Sequence, residues 1–262
     1  MRSFIEELLR MTMWPMTKPP AYGAFHISFT LIGFALCYFA AWKLRKLGEK
    51  GSRALLFGCG AFLLITELYK QLLYYYCLGD AGYDWDILPF QLCSIPMYLC
   101  LAAPLLKKGR VQKSLYSFMA YFNLLGGAIS FAEPSGLLHS WWTLTFHSLL
   151  WHMCLVFIGL FLIFSGRAGK KITDYSDAAK VFLLLCGEAF IINISLRELS
   201  DGAVNMFFIG PSNNPIIVFS AIAEHFGWFA ATAVYIPAVC FGAYLIFVLN
   251  RIISVKKEKC LQ

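Results

Sequence analysis

The chain has 262 residues, 59% of them hydrophobic and 14% charged, with a mean hydropathy of +0.65. These values exclude an ordinary soluble globular domain and point to an integral membrane protein. The net charge of +7 does not indicate a nucleic-acid partner, because the basic residues collect in alternate loops between apolar runs.

In chain order, residues 3–14, SFIEELLRMTMW, read as a short amphipathic helix at the outer interface. Phe4, Leu8 and Met11 are spaced to share one face. That face suits either the bilayer surface or packing on a bundle. The N-terminal residues lack a signal-peptide layout, and the first long apolar run follows Pro19 and Pro20.

Seven runs are then long and apolar enough to cross a bilayer: 25–43, 54–78, 87–106, 115–132, 141–165, 178–198 and 226–250. None shows the period-2 alternation of a membrane barrel strand, and no internal repeat marks an inverted-repeat transporter. The expected fold is therefore all-α, a polytopic protein with seven transmembrane helices. A membrane domain at 21–251 is flanked by an interfacial segment at 1–20 and a tail at 252–262.

Lysine and arginine set the expected orientation. Lys43, Arg45, Lys46, Lys50 and Arg53 separate the first two runs, and Lys107, Lys108, Arg110 and Lys113 separate the third and fourth. Arg167, Lys170, Lys171 and Lys180 follow the fifth run, and Arg251, Lys256, Lys257 and Lys259 close the chain. The loop at 79–86 instead carries Asp80, Asp84 and Asp86, and 133–140 carries Glu133 and His139. The positive-inside rule places the N-terminus outside and the C-terminus in the cytoplasm. Trp14, Trp85, Trp141 and Trp142 then fall at the outer interface and Trp42 at the inner one.

Polar groups inside apolar runs carry the functional information, since charges in hydrocarbon are costly. The second run holds Glu67 and Lys70, spaced to neutralise one another on one face, with Gln71 beside them. They are either a structural ion pair or part of a site. In the third run, ILPFQLCSIPMYLCLAAPLL, Gln91 and Cys93 lie between Pro89 and Pro96. The fifth run carries His147 and His152, about 140° apart on a helix, so that one shared site is expected to take at most one of them. The sixth carries Glu188, Asn193, Arg197 and Glu198. Asn205, Asn213 and Asn214 follow in NMFFIGPSNNP, whose Phe207, Phe208 and Ile209 are too apolar for a free loop and suggest a segment folded back over the bundle. Glu224 and His225 open the last run, where a helix start accounts for the carboxylate.

The nine cysteines form no CxxC and no Cys/His ligand spacing, so no metal and no cofactor is expected. Cys37, Cys59, Cys154, Cys186 and Cys240 lie in apolar runs, where cysteine acts as a small hydrophobe. Cys260, third from the end, does not fit a prenylation signal. Cys93 has two readings, a buried inert thiol or a nucleophile. At a helical rise of 1.5 Å it lies about 9 Å in from the outer face, with His147 at a similar depth and Lys70 slightly deeper at about 12 Å, and with His152 and Glu67 near 16 Å. That clustering toward the outside suits acyl transfer, because a histidine can generate the thiolate where phospholipid esters lie.

The residues ELYK at 67–70, LPFQLC at 88–93, HMCLVFIGLFL from His152, and NMFF…NP at 205–215 resemble the YwaF-like integral membrane proteins of bacteria. These are similar to the eukaryotic transmembrane protein 164, an acyltransferase that remodels ether phospholipids. More distantly they resemble the androgen-induced hydrolases of fatty-acid esters of hydroxy fatty acids. The resemblance runs from about residue 25 to 250. It implies a cysteine nucleophile at Cys93 and a histidine at His152, with His147 as the alternative. Family members often carry histidine where Gln91 stands.

The leading expectation is thus a lipid acyltransferase, transacylase or acyl-ester hydrolase of a bacterial cytoplasmic membrane, with phospholipid or lysophospholipid substrates. Glu67, Lys70, Gln91, Glu188, Asn193, Arg197 and Asn205 are its supporting candidates. A small-solute or ion transporter running through Glu67, Lys70 and Glu188 is the alternative, followed by a non-catalytic membrane scaffold. The sequence leaves the oligomeric state open.

Overall fold

The computed structural model describes residues 2–79, 83–211, 214 and 216–259. Asp80, Asn213, Pro215 and Cys260 lie outside the described residues. Among the described residues the fold is all-helical, without a strand longer than one isolated bridge between Pro15 and Trp141. Helix α1 spans Arg2–Arg10 and α2 spans Ala24–Leu44. Helix α3 runs Glu49–Leu78, its last turn wound as a π-helix, and α4 is the short Ile95–Ala102. Helix α5 covers Arg110–Ala132 through a π-helical stretch at Met119–Asn123. Helices α6 (Trp142–Phe164), α7 (Ile172–Ser195) and α8 (Ile217–Lys259) complete the bundle.

Six of these helices, all but α1 and α4, are long and apolar enough to cross a membrane. The seventh expected run, 87–106, differs. Its helical part begins only at Ile95, and Trp85–Ile87 forms a single 3-10 turn before an irregular stretch. The proline chemistry explains this. Proline lacks an N–H and disfavours helix in the residue before it, so Pro89 and Pro96 leave residues 88–94 without a helical ladder, while Pro96 is tolerated in the first turn of α4. Backbone that is not helical at this depth must find other partners.

Helix α5 is the axis of the bundle: 61% of its apolar window is buried, against 11% for α2 and 17% for α8, which present their flanks to lipid. Phe118, Tyr121, Phe122, Phe161, Phe182, Phe207 and Phe247 fill the core around it. Helix α2 packs along α6, and α5 packs on α6 and α7. Close approach of α5 to α6 depends on Gly127. A methyl group placed there would come within 2.9 Å of Leu155 Cβ and 3.3 Å of the His152 carbonyl oxygen. Gly127→Val should force the helices apart and destabilise the protein by about 1–3 kcal/mol. An unchanged midpoint of detergent unfolding would reject that account.

The basic loops gather at one end, held by ion pairs. Glu49 meets Arg53 at 3.0 Å and Lys108 at 3.2 Å, Arg110 grips Asp177 at 2.6 Å, and Lys113 meets Asp174 at 2.9 Å. Exposed pairs of this kind contribute about 0–1 kcal/mol each, so they fix loop register more than they hold the bundle. At the opposite end, Leu9 of α1 is buried while Phe4, Leu8 and Met11 are exposed. Gly227, at φ 84°, breaks α8 into two arms one residue after the expected start of the last run; its left-handed backbone is one that glycine adopts without strain.

Candidate functional site

Three outside side chains hold the irregular segment 88–94, and its own Gln91 makes a fourth tie. The Leu92 carbonyl accepts from Asn123 Nδ2 of α5 at 2.8 Å, and the Cys93 carbonyl accepts from Trp151 Nε1 of α6 at 3.0 Å. Pro89 accepts from the Tyr98 hydroxyl at 2.8 Å. Gln91 turns toward the strap at 204–210, where Met206 and Phe207 are fully buried. Its Oε1 accepts from the Phe207 N–H at 2.8 Å and its Nε2 donates to the Asn205 carbonyl at 2.9 Å.

The strap itself is the apolar excursion expected to fold back, and it does so through amides that mimic backbone. Asn193 Oδ1 accepts from the Met206 N–H at 2.6 Å while its Nδ2 donates to the Met206 carbonyl at 3.0 Å. Asn205 Oδ1 accepts from the Gly210 N–H at 2.8 Å. Phe207 and Phe208 sit at φ 56° and 57°, an uncommon conformation for bulky residues that these bonds hold in place. Gln91, Asn193 and Asn205 are thus engaged with buried backbone. Gln91→Leu should leave a buried N–H and a buried carbonyl unpaired, at about 1–3 kcal/mol for each. The check is a thermal melt, in which Gln91→Glu or Leu should lower the midpoint by several degrees; an unshifted melt would contradict it.

Beside Cys93 lies a cavity of about 190 Å³ between α3, α6 and the loops at their ends. Cys93 and Ser94 form one wall, Glu67, Lys70 and Tyr74 of α3 another, and His147, Ser148, Trp151 and His152 of α6 a third. Asp86, Ile87, Gly136 and His139 close the loop side. Both histidines of α6 therefore border one cavity, which corrects the expectation that at most one would. Leu144, His147, Ser148, Trp151 and His152 line it as one face of α6, with the two histidines at the edges of that face, from which an imidazole reaches sideways beyond its Cβ.

Glu67 and Lys70 form the expected pair, with Lys70 Nζ 2.9 Å from Glu67 Oε1 and Glu67 only 3% exposed. Gln71 Nε2 donates to the same oxygen at 2.7 Å and to the Ile87 carbonyl at 2.7 Å, and Tyr83 donates to Gln71 Oε1 at 2.9 Å. The pair is thereby tied to the chain leading into segment 88–94. Lys70 is within electrostatic reach of Cys93, His139, His147 and His152.

The two histidines differ in their bonding. His152 Nδ1 lies 2.7 Å from the Ser148 carbonyl. A carbonyl can only accept, so Nδ1 carries hydrogen and, in the neutral ring, Nε2 keeps the lone pair. The nitrogens of His147 are buried and make no hydrogen bond of regular geometry, with the Thr66 backbone as the polar group near them. At the loop side, His139 Nε2 meets Ser148 Oγ at 3.3 Å, and its N–H donates to Thr145 Oγ1 at 2.9 Å. Burial, then the charge of Lys18, push the His139 imidazole down from its ordinary value. Burial, then Asp84, push the Asp86 carboxyl up.

Glu188, on the exposed flank of α7, and Arg197, exposed in the turn that follows it, stand apart from the cavity. Asp86, His139, Ser148 and Trp151 were not singled out from the sequence; the acidic and histidine-bearing loops gave the only signal, and their approach to Cys93 depends on the fold. Among the described residues no group of three or more His, Cys, Asp or Glu side chains comes together as a metal site.

A family model described as the TMEM164 family matches residues 21–249. No curated protein and no solved structure matches the chain. The matched range takes in α2 to α7, α8 as far as Leu249, the strap and every residue of the cavity. The chain belongs to the TMEM164 family.

Proposed function

We propose that the protein is a membrane-embedded lipid acyltransferase, with hydrolysis when water replaces the acceptor, and that Cys93 is its nucleophile. The observation that carries this reading is the shared cavity. Cys93 lines it together with a histidine whose tautomer is fixed by the Ser148 carbonyl. In the first half-reaction the thiol proton passes to His152 Nε2 as the sulfur attacks the ester carbonyl of a phospholipid. The tetrahedral intermediate collapses, the lysolipid alkoxide takes the proton from the imidazolium, and an acyl thioester stays on Cys93. In the second half, the hydroxyl of a lysophospholipid gives its proton to His152 and attacks the thioester. The sulfur leaves as thiolate and recovers that proton. Lys70 supplies positive charge for the developing oxyanion or for the lipid phosphate, and Glu67 holds Lys70 in place.

The same reading orients the chain. The cavity end faces outward, the basic loops face the cytoplasm, and segment 88–94 with α4 completes a seventh crossing of a bacterial cytoplasmic membrane. Glu188, on the exposed flank of α7, does not line the cavity that holds Glu67 and Lys70, which favours this reading over a transport path through all three.

Intact-protein mass spectrometry in mild detergent tests the reaction. Incubation with phosphatidylcholine should add one acyl mass that hydroxylamine removes. Protein that never carries such an adduct, with or without a slow acceptor, would sink covalent catalysis.

A further inference from the structure

A second hollow, of about 420 Å³, opens on the membrane-facing side of α6 and is lined by Trp14, Trp142, Thr143 and Phe146. Its accessible walls are wholly apolar, since the Thr143 hydroxyl is turned away from the surface and buried. Trp142 and Phe146 stack on one another and meet Phe25 edge-on. Trp14 is fixed over this side because the 14–16 segment pairs with 140–142 through Trp142 N to the Trp14 carbonyl at 2.9 Å and Met16 N to the Ser140 carbonyl at 3.0 Å. Leu150, one turn along α6 from Phe146, is exposed and apolar, as are Phe4, Leu8 and Met11 of the segment that leads to Trp14.

What separates this hollow from the Cys93 cavity is the face of α6 that carries Thr143 and His147, one helical turn apart. Thr143 Oγ1 and both ring nitrogens of His147 are buried side-chain polar atoms without a regular hydrogen-bond partner. Such groups are rare because each forfeits the free energy of a bond to water. Two on adjacent turns, between an apolar slot and a polar cavity, mark the place where a ligand would bring a polar group out of hydrocarbon.

We infer that the slot receives one hydrocarbon chain of a bilayer phospholipid and that its ester group passes Thr143 and His147 into the Cys93 cavity. The inference rests on the acyl-transfer reading for the direction of the ester, and on the slot alone for chain binding. The Thr143 hydroxyl and a His147 N–H donate to the ester carbonyl on its way. The apolar walls take the chain without a hydrogen-bond requirement, as a wholly hydrocarbon guest demands.

Two readouts test it on the full-length protein in phosphatidylcholine nanodiscs. The first is photolabelling with a phosphatidylcholine bearing a diazirine at mid-chain, performed on Cys93→Ala protein so that no chemistry intervenes. Labelling of the 142–146 peptide should saturate and be displaced by unlabelled phospholipid. Labelling that rises linearly and resists competition, as expected for bulk lipid contact, would overturn the slot even if Cys93 is acylated in the wild type. Saturable labelling in a protein whose Cys93 never accepts an acyl group would retain the slot and remove the reaction.

The second readout is chain-length preference. Phe146→Trp narrows the slot, and Trp142→Ala widens it, at side chains exposed enough for the bundle to tolerate either change. The ratio of long- to short-chain acylation should fall about tenfold in the first and shift toward longer chains in the second. Equal loss for all chain lengths in both variants, or no change in either, would overturn the assignment.

Discussion

Replacing Cys93 with alanine is expected to abolish both the hydroxylamine-labile adduct and lipid acyl exchange. The loss should reach about four orders of magnitude or more, as for other nucleophiles that act as one unit with their base. Cys93→Ser separates chemistry from shape. Its hydroxyl fills the same space but its proton is far harder to remove, so the adduct should become a trace, hydroxylamine-resistant oxygen ester. His152→Ala should lower the rate of adduct formation by about 10²–10⁴, the ordinary contribution of a positioned base. We propose this role for His152 because its Nδ1 is committed to the Ser148 carbonyl at 2.7 Å, which leaves Nε2 to accept a proton. His147 lacks an orienting bond of that kind, so His147→Ala should weaken lipid binding more than the thiol's reactivity. Full exchange activity in Cys93→Ser would reject the nucleophile outright. If His147→Ala gave the larger loss in adduct rate, the two histidines would trade roles.

What the sequence made legible was set by periodicity and by local spacing. Long apolar runs without strand alternation led to six long helices, because length and apolarity alone decide that a helix can span. The third run defeated the same rule. Apolar content is equal in a spanning helix and in an irregular segment buried against its neighbours. Only Pro89, Pro96 and the lone Gln91 signalled that the backbone would need outside partners. The Glu67–Lys70 pair was legible because three residues on one helix fix the geometry before any tertiary contact forms. The shared cavity of His147 and His152 was not, since a helical wheel gives Cβ directions and says nothing of how wide a cavity is. Asp86 and His139 come from loops, whose course is set by the packing of the helices they join. Gln91, Asn193 and Asn205 drew notice as polar groups in apolar surroundings, and their bonds run to the backbone of the 204–210 strap. A sequence cannot separate an amide that reads a ligand from one that reads a neighbouring peptide group.

The Glu67–Lys70 pair offers the largest effect on stability, independent of any reaction. Glu67 is 3% exposed and Lys70 20% exposed, and the carboxylate takes both the lysine at 2.9 Å and the Gln71 amide at 2.7 Å. Lys70→Met removes the cation and leaves a buried carboxylate whose remaining partner is a neutral amide. Breaking a buried pair from one side costs about 3–5 kcal/mol, because the surviving charge keeps its desolvation penalty and loses its compensation. The unfolding midpoint in detergent should therefore fall sharply. Adding Glu67→Gln to Lys70→Met removes the stranded charge, and Gln71 can still bond the new amide, so most of the loss should return. Additive damage from the two substitutions would show that each side chain acts through packing alone. The recovered double variant also separates fold from function. If its melt is restored while acyl exchange stays low, Lys70 serves the cavity electrostatically. If both return together, the pair's contribution is confined to holding α3 against the segment that carries Cys93.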